Sequence, residues 1–134
     1  MTKAMVIHET GGPEVMQWQD VEVGEPGAGE VRLRQAIVGF NMIDTYRRKG
    51  LYPCEVPFIT GSEAAGRVES VGGGVSGLKP DDRVVYAIAD IGAYAECRLI
   101  NADQLVKIPD EISDEVAAAA FLKGLTSWYL IHKT

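Results

Sequence analysis

Residues 68–85, VESVGGGVSGLKPDDRVV, constrain the fold of this chain more than any other stretch. Gly72, Gly74 and Gly77 keep a G-x-G-x-x-G spacing directly after an apolar, β-rich run, the pattern of a dinucleotide-binding loop. Such a loop needs its last glycine at the opening of a helix, because the pyrophosphate rests on that helix's amino end. Here Gly77 is followed by LKPDDRVV, which leads into a second β-type run. Pro80 has no amide proton to offer, and Asp81 and Asp82 would repel phosphate. The stretch reads as strand, turn, strand, with glycines supplying positive φ. It is not a nucleotide loop.

The same grammar recurs along the chain. KAMVIHE and VMQWQDVEV are separated by Gly11-Gly12-Pro13. EVRLRQAIVGF alternates Val31, Leu33 and, less strictly, Gln35 and Ile37, with Arg32 and Arg34 on the other face. AAGRVESVG, DRVVYAIA, GAYAECRLI and QLVKIP follow, each bounded by Gly, Pro or Asp. Short strands joined by glycine-rich turns predict a mainly β domain with short helices, its sheet closed or folded over on itself.

Helix signals are confined to two places. In NMIDTYRRKG, Asn41 is a good N-cap, Asp44 falls three residues later and Gly50 is placed to end the helix. A second helix opens at Ser113, with Asp114 and Glu115 facing its dipole. The sequence predicts that it runs through VAAAAFL, breaks near Gly124 and resumes in LTSWYLIHKT, so that Lys123, Gly124 and Thr126 mark a kink and Thr126 lies near a fresh helix start. No glycine cap or loop follows, which predicts a chain cut within or just after a helix.

Length and charge narrow the function. At 134 residues the chain supports one domain with a real core, and 46% hydrophobic with 24% charged residues describes an ordinary globular protein. A net charge of −6, with no basic cluster beyond YRRKG, argues against nucleic acid. Cys54 and Cys97 form no C-x-x-C pair, which suits a reducing compartment. Neither an N-terminal leader pattern nor a membrane-length apolar run is present, so a cytoplasmic location without membrane contact is the expectation.

GSEAAGRVESVGGGV followed by LKPDDRVVY resembles the N-terminal catalytic domain of the medium-chain dehydrogenase/reductase superfamily, which has a GroES-like β-barrel fold. GGPEVMQWQDVEVGEPGAGEVRLRQ, GFNMIDTYRRKGLYP, GAYAECRLI and AAAAFLKGLTSWYLI extend the likeness across essentially the whole chain. FNMIDTYRRKGLYP together with FLKGLTSWYLI is similar to the quinone oxidoreductase, or ζ-crystallin-like, branch. The chain departs from the family pattern at Asp81, usually glycine, and at Thr60, commonly proline. The resemblance implies a substrate-side domain over residues 1–112 and a helical connection over 113–134 toward a Rossmann domain that carries most of the NADPH site. It also implies a homodimer in the full-length protein.

Zinc-binding relatives place a cysteine where Asn41 stands and a histidine where Ser62 stands. Those neutral side chains are poor zinc donors, Glu63 alone does not make a site, and His8 and His132 read as solvated. No metal is therefore expected. Without a Lewis acid, an acceptor that is already electron-poor suits the chemistry best, and a small quinone reduced by NADPH is the first expectation. The resemblance implies that Asn41, Asp44, Tyr46 and Tyr52 line the reacting cleft, and that Asn41, Tyr46, Lys123 and Thr126 face the cofactor. Gly61, Ser62 and Glu63 read more simply as cleft floor, and Arg47, Arg48 and Lys49 as a solvated face, with Arg47 or Arg48 near cofactor phosphates as the other reading. No general acid stands out; Tyr46 or water would supply the proton. A zinc-free reductase of enones or enoyl thioesters is the alternative enzyme, and a stand-alone β-barrel binding module the alternative outside catalysis.

Overall fold

The computed structural model describes residues 1–87 and 90–133; Ile88 and Ala89, the end of the expected strand DRVVYAIA, and Thr134 lie outside them. In chain order the elements are β1 (Thr2–Ile7), β2 (Met16–Val21), β3 (Glu30–Val38), α1 (Met42–Arg48), β4 (Phe58–Ile59), β5 (Glu63–Val71), β6 (Arg83–Ala87), β7 (Cys97–Asn101), β8 (Val106–Lys107) and α2 (Asp114–His132). The mainly β expectation holds. Two sheets form, with strand orders β2-β1-β4 and β7-β3-β5-β6-β8, and the named pairings are antiparallel. Among the described residues no helix is long and apolar enough to cross a membrane.

The segment before β7 stitches the sheets together. The Met5 and Glu96 amides donate across to the Tyr94 and Lys3 carbonyls at 2.7 and 2.8 Å, while Gln35 donates to Glu96 at 2.9 Å. One short segment thus satisfies backbone groups of β1 on one side and of β3 on the other, folding the sheet over. Alternation then fills the interior. Val31, Leu33, Ala64, Val68, Val84, Tyr86, Ala93 and Ile100 form the main core. The opposite face of the larger sheet offers Ala65 and Val85, and α2 covers them with Ala117, Ala118 and Phe121.

The glycine-rich stretch is the turn its context predicts. Gly74 and Gly77 have φ of 78° and 82°. Gly72 donates to the Glu30 carbonyl at 2.8 Å, and a Cβ there would lie 1.7 Å from the Gly27 carbonyl oxygen. The glycine is needed so that backbone can meet backbone, not backbone phosphate. Asp81, at the usual glycine position, has φ 72°, and it is the only such non-glycine among the described residues. The buried Thr60 hydroxyl, at the usual proline position, has no hydrogen-bond partner.

One expectation fails. α2 does not break at Gly124; it runs unbroken from Asp114 to His132. A single interior glycine costs only about 1 kcal/mol relative to alanine, and the surrounding Ala, Leu and Lys are strong helix formers. The start is also firmly held. Ser113 Oγ accepts the Val116 amide at 3.2 Å, and the Arg83 guanidinium reaches Asp114 Oδ1 at 2.8 and 2.9 Å and the Ile112 carbonyl at 2.6 Å.

Candidate active site

Helix α1 follows directly on Asn41, whose extended backbone places it as the N-cap. Asp44 Oδ2 accepts the Asn41 amide at 3.0 Å, the reciprocal half of a capping box. The same carboxylate is almost fully buried and does more than cap. Its Oδ1 accepts from Ser62 Oγ at 3.1 Å, and Arg47 Nη1 donates to that Ser62 oxygen at 3.0 Å. Tyr94 adds a long contact to Oδ2 at 3.5 Å. Burial pushes the Asp44 carboxyl above its ordinary pKa, against the hydrogen bonds from Asn41 and Ser62 and the nearby Arg47 charge. Tyr94 is pushed up to about 12, by burial first and then by the Asp44 charge, so at neutral pH it is a hydrogen-bond donor and not a base.

Glu63 opens β5 and is the centre of a second polar array. It is completely buried. Oε1 accepts the Leu122 amide of α2 at 2.7 Å, and Oε2 accepts from Asn41 Nδ2 at 2.9 Å and from Lys123 Nζ at 3.0 Å. Lys123 also reaches Asn41 Oδ1 at 3.1 Å and the Phe40 carbonyl at 3.4 Å. A buried carboxylate survives only with such company. The close approach of β3, β5 and α2 depends on Gly39, where a Cβ would lie 2.6 Å from Glu63 Oε2 and 2.7 Å from the Ala118 carbonyl.

Aromatic and apolar side chains flank Asn41 in the chain and follow it along α1 and its exit loop. Tyr46 and Tyr52 face each other with ring centroids 5.9 Å apart and planes tilted by 45°. Phe40, Met42, Leu51 and Tyr52 are all more than half exposed. The exposed side chains on this stretch are thus rings and apolar groups, while the Asp44 and Glu63 carboxylates are buried.

The sequence-predicted residues divide accordingly. Asn41, Asp44 and Lys123 sit in connected polar arrays, and Tyr46 and Tyr52 pair on the same helix and its exit loop. Thr126 does not join them. With α2 continuous there is no fresh helix start, and the Thr126 hydroxyl donates back to the Leu122 carbonyl at 2.9 Å. Glu63 and Ser62, read as cleft floor, turn out to be the hubs of the two arrays, and Arg47 is half-buried against Ser62 instead of solvated. Tyr94 was not singled out by the sequence at all. The signal for Glu63 was there: a carboxylate heading the apolar run Ala64-Ala65-Gly66 must be paired if the run is buried.

Residues 27–110 match the alcohol dehydrogenase GroES-like domain. The whole chain is 47% identical to a quinone oxidoreductase of Pseudomonas aeruginosa and 44% identical to a 2-haloacrylate reductase of a Burkholderia species, covering 42% of each. The crystal structure of Escherichia coli quinone oxidoreductase complexed with NADPH superposes with a TM-score of 0.95 at 45% identity, over 98% of this chain and 40% of that one. The chain spans about two fifths of the length of these relatives. In sequence and in fold, the chain belongs to the alcohol dehydrogenase GroES-like domain family, in the quinone oxidoreductase branch of the medium-chain dehydrogenase/reductases.

Proposed function

We propose that this chain supplies the substrate side of a zinc-independent, NADPH-dependent reductase of small quinones. Residues 1–112 form the substrate-side domain, and 113–134 form the connection toward a nucleotide-binding domain. The observation that carries the reading is the neutral Asn41 amide at the head of α1, with the Tyr46–Tyr52 pair on that helix and its exit loop and Glu63 fully engaged behind the amide. NADPH, when bound, supplies the hydride. Asn41, Tyr46 and Lys123 would face it: an amide, a ring and a half-exposed lysine side chain are groups that suit a carboxamide-bearing nicotinamide. Tyr46 and Tyr52 offer faces to a flat acceptor, and the exposed Phe40, Met42 and Leu51 offer apolar surface on the same stretch of chain.

Donor chemistry supports the zinc-free part. Asn41 and Ser62 are neutral, and the Glu63 carboxylate is already taken by the Lys123 ammonium and two N–H groups. Thr126 is not proposed to bind cofactor through helix-start amides. The unpaired Cys54 and Cys97 support a reducing, cytoplasmic setting. A second reading, reduction of an activated carbon–carbon double bond, is favoured by the likeness to the 2-haloacrylate reductase.

The test is NADPH oxidation by the natural polypeptide that contains this chain, after dialysis against a chelator, with 1,4-benzoquinone and with 2-chloroacrylate as acceptors. Undiminished turnover of the quinone is expected. Turnover restored only by added Zn²⁺ would overturn the metal-free reading, and turnover of the haloacrylate alone would transfer the assignment to the second reading.

A further inference from the structure

We infer that Glu63 is a positioning residue, which fixes which way round the Asn41 amide faces and ties α2 to the sheet beside it. The inference rests on the reductase reading of the same cleft. Its basis is a count of donors and acceptors. Glu63 supplies two oxygens: one takes the Leu122 amide, and the other takes both Asn41 Nδ2 and the Lys123 ammonium. The ammonium has three protons, and three acceptors surround it: Glu63 Oε2, Asn41 Oδ1 and the Phe40 carbonyl.

Asn41 is thereby held at both ends. Turning its amide over would place the NH₂ group against the ammonium and the carbonyl oxygen against the carboxylate, two repulsions in exchange for two hydrogen bonds. The fixed orientation commits one Asn41 N–H to Glu63. The other has no partner among the described residues, which leaves a neutral donor at the cleft for a carbonyl acceptor. Because Leu122 and Lys123 both belong to α2, the same carboxylate sets the distance between that helix and the amide.

The arrangement is hard to imitate. In Glu63→Gln the new NH₂ group meets a donor whichever way it turns: the Leu122 amide on one side, Asn41 and Lys123 on the other. Asn41→Asp alone sets two carboxylates face to face. Together, Glu63→Gln and Asn41→Asp restore the pairing between positions 63 and 41 and with Leu122, and leave only the contact of the new NH₂ group with Lys123 unmatched. The carboxamide now at position 63 can donate to the carboxylate now at position 41 and accept from Leu122, while Lys123 pairs with that carboxylate. The free amide N–H at position 41 is then gone.

The experiment is a double-mutant cycle in the natural polypeptide that contains this chain, read by thermal denaturation and by quinone-dependent NADPH oxidation. Each single variant is expected to lower the midpoint, and the double variant to be more stable than the two single losses added together predict. Glu63→Gln is expected to lower kcat about tenfold with KM changed less than threefold, and the double variant to regain part of the stability without regaining kcat. A double variant no more stable than the two single losses added together would overturn the network. Single variants with wild-type kcat would overturn the positioning role. A wild type that folds but reduces no quinone would defeat the reductase reading instead, with the stability cycle still deciding whether Glu63 is the hub.

Discussion

Residues 72–77 and residues 61–63 make opposite impressions in the sequence and have opposite roles in the molecule. The first group carries the spacing of a cofactor loop, yet its glycines serve a turn in which Gly72 presses against the Gly27 carbonyl. The second, Gly-Ser-Glu, reads in the sequence as cleft floor, yet Ser62 and Glu63 are hubs that connect α1, α2 and the larger sheet. Spacing reports what the backbone can do. Only burial and partners report what a side chain is asked to do, and those are three-dimensional facts.

The contrast can be attacked at two crowded glycines, Gly72 in the turn and Gly39 against Glu63. Gly72→Ala drives a methyl into backbone at 1.7 Å, so a loss of about 3 kcal/mol or more is expected in chemical denaturation. Gly73→Ala, with open space around it, should change stability by less than about 1 kcal/mol. Equal effects of the two would mean that the turn does not pack as described. Gly39→Ala comes next, at about 2–3 kcal/mol, because its methyl meets both Glu63 and the Ala118 carbonyl. The distinguishing sign is local: hydrogen exchange at the Leu122 amide should quicken more than exchange in β3.

Smaller effects sharpen the picture. Gly124→Ala should raise stability by about 0.5–1 kcal/mol, since α2 is continuous there and nothing lies within 4 Å. A loss instead would restore the kink that the sequence suggested. The Asp44 carboxyl, raised by burial, gives a pH signature. Its folded pKa exceeds the unfolded one, so its stabilising share is full below the ordinary carboxylate range and is lost as pH rises through the raised value. Relative to Asp44→Asn, the wild type should therefore gain stability on acidification from neutral pH; denaturation midpoints at several pH values would show it.

Much of the fold was legible because alternation and turn residues are local. Val31 and Leu33 announced β3, and Pro80 with Asp81 and Asp82 exposed the false loop. β4 escaped notice, since two residues, Phe58 and Ile59, cannot display a period. The break at Gly124 was overread, because a propensity weighed at one residue loses to a whole helix of good formers. The site was half legible. Asn41 and Asp44 were marked by capping chemistry three residues apart, whereas Glu63 meets its partners 22, 59 and 60 residues away. No local pattern carries that information.

The most direct test is the NADPH dissociation constant of the natural polypeptide that contains this chain, compared among the wild type, Gly74→Asn and Lys123→Met. Asparagine tolerates the left-handed backbone at position 74, where nothing lies within 4 Å, but would obstruct a phosphate resting on the loop. An unchanged affinity for Gly74→Asn with about tenfold weaker binding for Lys123→Met is the outcome expected here. Tenfold loss at Gly74→Asn with wild-type binding at Lys123→Met would return the cofactor to the glycine loop and contradict the assignment.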